Sequence, residues 1–260
     1  MLFVKDIISF LEDKFPPQLA YDWDNIGFQI GDINREVNMI MVTLEATTPV
    51  IEEAIQKGID LIITHHPFIF SPLKSVDFAT PQGKNIQKII KNDIAVYAMH
   101  TNYDVATGGM NDILAEKIGL QDIKPFSMID DVHGLGRIGS LKQAMSMDEL
   151  AVMLKSGELS NEIDIIRTVE TVEDSWVKKV AVIGGSGGKH IHEAKEVGAD
   201  VLITGDVTYH TALDAKDIGL GLLDIGHYAE VVMEKEVVKL LTGVFKVEVV
   251  RPSVSKNPIK

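Results

Sequence analysis

The chain repeats itself, and that repeat limits its fold more than any other feature. Residues 37–66 and 177–206 align without a gap, each meeting its counterpart 140 positions later, so that "EEAIQKGIDLIITHH" runs beside "HEAKEVGADVLITGD". Glu53, Ala54, Gly58, Asp60, Ile63 and Thr64 match Glu193, Ala194, Gly198, Asp200, Ile203 and Thr204, and "VNMIMVTL" lies over "VKKVAVIG". A glycine after a helix and an apolar strand before a polar loop recur throughout α/β proteins. The ungapped length of the match favours duplication of one structural unit.

Each half reads as strand, helix, strand, helix, strand. In the first, "NMIMVTL" leads to a helix around Pro49 to Lys57 ended by Gly58, then "DLIIT", a helix around Lys84 to Lys91, and "IAVYAM". The second gives "KKVAVIG", a helix near His190 to Val197, "DVLIT", a helix near Thr211 to Lys216, and "GLGLLDI". Near-continuous apolar strands alternating with helices call for a parallel sheet covered on both faces. The expected fold is therefore α/β, with two pseudo-symmetric lobes, each a mainly parallel sheet flanked by helices. The lobes are placed at residues 1–120 and 121–260, the second including a bridge over 121–176 with a strand-like "GRIGSL" and a helix opening near Ser146. No Pro- or Ser-rich linker separates them, so they are expected to pack closely as one family domain.

Composition narrows the function. A chain of 260 residues with 45% hydrophobic content can bury a sizeable core. Its net charge of −13 repels a polyanionic backbone, and no Lys/Arg stripe offsets this, which argues against nucleic acid as a partner. Cysteine is absent. Any metal must then be held by histidine nitrogens and carboxylate oxygens. The opening "MLFVKDIISFLEDKF" reads as an amphipathic surface helix, not a signal peptide, and no apolar run approaches the ~18 residues of a membrane span. A cytoplasmic location without membrane contact is the default.

Ligands of open α/β sheets gather beyond the carboxyl ends of the strands. Four such ends are "THHP", "AMHTNYD", "TGDVTYH" and "DIGHYAE", which together hold His65, His66, His100, His210 and His227, with Asp104, Asp206 and Glu230. Two adjacent histidines on a regular strand point to opposite faces, so His65 and His66 converge only if the strand stops, and Pro67 supplies the stop. His227 and Glu230 share one face if a helix begins there. A single histidine at a strand end is commonly just hydrogen-bonded, and Glu230 could simply favour a helix N-terminus. The convergence of imidazoles and carboxylates points instead to a metal site. Of two glycine clusters, "GLGRIG" (134–139) lacks the strand that a dinucleotide fingerprint needs before it and reads as a turn. "GGSGGKH" (184–190) is not a Walker A loop, and reads either as an anion cradle with Lys189 nearby or as a tight turn.

These motifs in this order resemble the type 2 GTP cyclohydrolase I-like family, also called the NGG-one-interacting-factor-three-like family. The similarity covers nearly the whole chain: "WDNIGFQIGD", "VTLEATTPVIEEAI", "LIITHHPFIF", "HTNYDVATGGMNDILAEKIGL", "TGDVTYHTALDA" and "DIGHYAE". The resemblance implies two pseudo-symmetric lobes, a dinuclear divalent-metal site between them and a toroidal homohexamer. The implied ligands are His65, His66, Asp104, His227 and Glu230, for two ions per chain whose identity (Zn, Fe or Mn) is left open. Many relatives space the last pair four apart where this chain has three, and Glu45 stands where aspartate is common. His100, outside that set, is the candidate general base or a residue supporting the ligands. The implied chemistry is metal-dependent hydrolysis of a small-molecule substrate, a nucleotide or related phosphorylated compound. Metal handling and a metal-stabilised interaction scaffold remain the alternatives.

Overall fold

A computed structural model describes residues 1–171 and 176–259. In chain order the first elements are α1 (Val4–Lys14), β1 (Gly27–Ile30), β2 (Met39–Thr43), α2 (Thr48–Lys57), β3 (Leu61–Thr64), α3 (Pro81–Lys91) and β4 (Ala95–Ala98). There follow α4 (Thr101–Val105), α5 (Met110–Ile118), β5 (Gln121–Met128), β6 (Gly134–Ser146), α6 (Met147–Ser156) and β7 (Arg167–Val169). The last are β8 (Trp176–Val182), α7 (Ile191–Glu196), β9 (Val201–Thr204), α8 (Tyr209–Asp217), β10 (Gly221–Asp224), α9 (Val232–Thr242) and β11 (Glu248–Val250). No helix among the described residues is long and apolar enough to cross a membrane.

The chain forms two compact units. One comprises Met1–Tyr103 with Met233–Asn257, the other Asp104–Val232. The boundary expected at 120/121 falls inside the second unit, because α5 packs against β5 and β6 there. The C-terminal segment belongs to the first unit, where β11 pairs in parallel with β2. Glu53 fastens this segment by accepting from the Ser253 and Val254 amides.

In the first unit the sheet order is β1-β4-β3-β2-β11, parallel except for β1. Met41, Ile62 and Val96 on one face pack with Val50, Ile51 and Ala54 of α2 and Ile89 of α3. Ile40, Ile63 and Tyr97, which alternate with them, are also wholly buried, so both faces are covered. The second sheet has the order β5-β6-β8-β9-β10-β7, in which parallel β8-β9-β10 is extended by antiparallel strands on both sides.

The sequence repeat is a repeat of backbone register. Ile40 pairs with Leu61 in one sheet and Val180 with Val201 in the other, each residue at its aligned position. Asp60 accepts from the Asn38 and Met39 amides, and Asp200 accepts from those of Lys178 and Lys179. Gly58 and Gly198, which end the preceding helices, both have positive φ, a conformation glycine adopts without cost. The matched Gly and Asp thus turn the chain out of a helix and lock the start of the next strand.

One expectation needs correction. The "GLGRIG" glycines lie within β6, between β5 and β8, so the overlapping "GRIGSL" is the strand expected of it and the turn is not formed. The neighbouring β5 explains them: a Cβ would come within 2.2 Å of the Phe126 ring at Gly136, 2.5 Å of Phe126 O at Gly134 and 2.8 Å of Gln121 O at Gly139, so the strand needs glycine where β5 presses against it.

Candidate metal centre

Beyond β3 the amides of His65 and His66 both donate to the end of β2, to the carbonyls of Thr43 and Leu44. In a regular strand successive amides point to opposite sides, so the chain has left the strand at this point and two adjacent imidazoles can face the same way. Their ring centroids lie 5.1 Å apart. His100, just beyond β4, joins them at 5.1 Å from His65 and 5.5 Å from His66. A ligand atom from each of the three lies within 4.8 Å of the other two, a spacing that suits a metal ion.

In the second unit His227 and Glu230 sit on a five-residue 3-10 turn, His227–Val231, with His227 Nε2 3.2 Å from Glu230 Oε2. The three-residue spacing therefore works because the segment is a tight helix, in which i and i+3 eclipse. The "GGSGGKH" loop makes the space. A Cβ on Gly185 would lie 2.7 Å from Glu230 Oε1 and 3.1 Å from His227 Nε2, and one on Gly184 would lie 3.0 Å from Glu230 Oε1. Thr204 holds the loop by accepting from Gly187 N and donating to Gly185 O. These glycines are a cradle for the two candidate ligands.

The fold also relates Asp104 to Glu230. Ala95 pairs with Leu61 and Gly221 with Val201, which makes β4 and β10 equivalent strands. Nine residues beyond Ala95 is Asp104, and nine beyond Gly221 is Glu230. Both carboxylates are buried, each on the short helical segment that follows its strand.

Four histidines are held in the same manner. His65 Nδ1 lies 3.0 Å from Met99 O, His66 Nδ1 3.1 Å from Glu45 Oε1, His100 Nδ1 2.9 Å from Asp24 Oδ1 and His227 Nδ1 2.7 Å from Asp206 Oδ2. An acceptor at Nδ1 favours the tautomer protonated there, which places the lone pair on Nε2, the nitrogen a metal or a transferred proton would use. The donor set, imidazole nitrogens with carboxylates and no thiolate, fits divalent Zn, Fe or Mn.

The pairing of each imidazole with its carboxylate is what the sequence did not reveal. Glu45, whose departure from aspartate had no account, is the partner of His66. Asp206 adopts a positive φ of 54° to reach His227, a conformation that aspartate tolerates better than most residues. Asp24 belongs to the quoted "WDN" motif, but 76 residues separate it from His100. Its side chain is wholly buried, and Thr101 N and Oγ1 donate to its other oxygen. Burial raises its pKa, and the hydrogen bonds from His100 and Thr101 outweigh that effect, leaving the carboxyl below its ordinary value and ionised.

A sequence profile of the Duf34/NIF3 (NGG1p interacting factor 3) family matches residues 2–258. The chain belongs to this family. A Clostridium perfringens relative described as a GTP cyclohydrolase 1 type 2 homolog is 38% identical, over 86% of this chain and 85% of its own length. Among solved structures, a Bacillus cereus protein related to NIF3 superposes with a TM-score of 0.89 at 31% identity, covering 99% of this chain and 98% of the other. A Staphylococcus aureus hypothetical protein gives 0.91 at 32% identity, covering 100% and 99%.

Proposed function

We propose that this Duf34/NIF3 member is a metal-dependent hydrolase that holds two divalent cations, Zn, Fe or Mn, through His65, His66, Asp104, His227 and Glu230, and acts on a nucleotide or a related phosphorylated small molecule. The observation that carries the reading is the convergence of His65, His66 and His100, each with a ligand atom within 4.8 Å of the other two. Nδ1 contacts orient these rings and that of His227, but they also orient those of His133 and His190 elsewhere, so the convergence and not the tautomer marks the centre. The substrate class follows the description of the relatives as GTP cyclohydrolase 1 type 2 homologs.

When bound, the cations supply Lewis acidity and a nucleophilic water near neutral pH. The chain's own residues orient and move protons. Asp24 holds the His100 ring so that Nε2 is basic and stabilises the imidazolium formed when that nitrogen accepts a proton. His100 then returns the proton to the leaving group. Glu45 and Asp206 keep His66 and His227 from rotating. The assembly proposed with this activity is a closed ring of six copies, to be checked by light scattering.

The deciding experiment is elemental analysis of protein purified without an affinity metal and then saturated and desalted, followed by a turnover screen with GTP and other nucleotides. Two ions per chain, lost in a His65→Ala/His227→Ala double variant, with turnover that depends on them, is the expected result. Stoichiometry near zero refutes the centre. Full loading with exchangeable metal and no turnover replaces the hydrolase with a metal-handling protein.

A further inference from the structure

The three-histidine cluster of the first unit has an aromatic rim that the proposed metal chemistry does not use. Trp23 and Phe70 both remain more than half exposed, at 56% and 54%. Each lies nearly perpendicular to the His100 ring, at 6.2 Å for Trp23 and 6.5 Å for Phe70, and their own centroids are 6.1 Å apart. Tyr21 stacks on the indole at 5.8 Å and only 10° from parallel. Tyr21 thus backs the indole while more than half of Trp23 stays in water. Large apolar groups left in water beside a polar cluster call for an explanation, since scattered exposed side chains do not arrange themselves this way.

The rim is held in place. Asn25 Nδ2 donates to Ile69 O at 2.5 Å, and Ile69 N donates to Gln29 Oε1 at 2.7 Å, so the segment bearing Trp23 is tied to the one bearing Phe70. Tyr21 N donates to Thr101 Oγ1, which in turn donates to the Asp24 carboxylate that orients His100. The backbone carrying the aromatic residues and the base that faces the histidines therefore form one hydrogen-bonded frame. An indole fixed within such a frame is organised before any ligand arrives, which lowers the entropy lost on binding.

We propose that Trp23, backed by Tyr21 and flanked by Phe70, is a stacking platform for a planar nitrogen heteroaromatic ring, and that it sets such a ring beside His65, His66 and His100. This rests on the reading of the histidines as a metal centre, and it names what that centre would act on: a ring-bearing substrate of the purine nucleoside type, recognised through its π-face. Stacking is tolerant of ring identity, because every such ring has a π-face. The platform accordingly selects ring against no ring more strongly than one base against another.

The test uses the full chain with Trp176, the other tryptophan and 69% exposed, replaced by phenylalanine so that Trp23 is the sole indole reporter. Guanosine and adenosine should quench its fluorescence saturably, and ribose 5-phosphate, which has no ring to stack, should not. In equilibrium dialysis Trp23→Ala should weaken guanosine binding about 10- to 100-fold, or ~1.4–2.8 kcal/mol at 1.4 kcal/mol per factor of ten, whereas Trp23→Tyr should retain most of it. Metal content measured on the same samples separates the two readings. Normal metal loading without nucleoside binding, or binding unchanged in a folded Trp23→Ala variant, overturns the platform and leaves the centre standing. Ring binding to a chain that takes up no metal supports the platform and removes the centre. A change of molecular mass in Trp23→Ala, with the wild-type indole shielded from acrylamide, assigns the rim to contact between copies and also overturns the proposal.

Discussion

Replacing Gly185 with alanine isolates the role of the glycine cradle. Two costs are expected. The first is backbone strain: Gly185 has a φ of +58°, where an L side chain costs ~1–2 kcal/mol. The second is collision, since the new Cβ would lie 2.7 Å from Glu230 Oε1, 3.1 Å from His227 Nε2 and 3.3 Å from Glu230 Cδ. Carbon and oxygen do not approach so closely, and the Glu230 side chain is only 4% exposed, so it has little room to withdraw. Gly198→Ala supplies the control. Its φ is +85°, but a Cβ there meets only Lys179 Nζ at 3.7 Å, the end of a flexible chain. Gly198→Ala should therefore lose ~1–2 kcal/mol in chemical denaturation of the metal-free protein, and Gly185→Ala more than that, the difference being the collision with Glu230. Only Gly185→Ala should weaken metal binding, by about 10- to 100-fold, the range found when groups that support metal ligands are disturbed. Competition with a chromophoric chelator measures the affinity. If Gly185→Ala binds metal as tightly as Gly198→Ala, then Glu230 and His227 are not ligands or the loop does not shape them, and the argument fails.

Three further outcomes follow from the structure. Asp24→Asn should slow any turnover sharply with metal content retained, because an amide cannot accept from both His100 Nδ1 and Thr101 N without leaving one donor facing another; normal turnover would remove Asp24 from the mechanism. Glu234, buried and accepting from Leu44 N, has its pKa raised to about 7 by burial, against the hydrogen bond from Leu44 and the positive charge of Arg251. Its folded pKa lies above the unfolded value, so its contribution is most favourable below about pH 4.5 and is lost as pH rises toward 7. Glu234→Gln should thus gain melting temperature over wild type at pH 8 and not at pH 5, and a difference that stays flat across that range would contradict the assignment. Chelation should lower the melting temperature by loss of ligand linkage, ~2.7 kcal/mol for a cation at a hundred times its Kd, yet leave far-ultraviolet dichroism intact. Loss of that dichroism would mean that the metal is needed for folding.

The fold was legible where the physics is local. Alternating apolar runs and helices, the Gly that ends a helix and the Asp that opens a strand each act within a few residues, and so β2, β3, β4, β8, β9 and β10 stand in the sequence. Short edge strands do not. β7 and β11 have three residues each and exist because Thr168 meets Leu223 and Val249 meets Ile40, contacts that no window of sequence contains. The same holds for the site. His65, His66, His227 and Glu230 announce themselves at strand ends, but Asp24 reaches His100 across 76 residues and Asp206 reaches His227 across 21. The "GLGRIG" glycines misled because what they make room for, the ring of Phe126 at Gly136 and the carbonyls of Phe126 and Gln121 at Gly134 and Gly139, lies on another strand.

The duplication also explains why the two sets of candidate ligands differ. In the ungapped alignment Glu45 stands opposite Gly185, and His66 opposite Asp206. In the first copy the loop after β2 supplies a carboxylate, Glu45, that steadies the imidazole on the loop after β3. In the second copy the loop after β9 supplies the carboxylate, Asp206, and the imidazole it steadies, His227, follows β10. The loop after β8 then has no side chain to contribute and becomes Gly185, which gives Glu230 its space. Only Asp104 and Glu230 keep both chemistry and position between the copies. One backbone frame used twice thus carries two complementary arrangements of imidazole and carboxylate. Gly185→Glu, which restores that symmetry, would crowd a second carboxylate against Glu230 and the metal-facing Nε2 of His227, and should abolish metal binding.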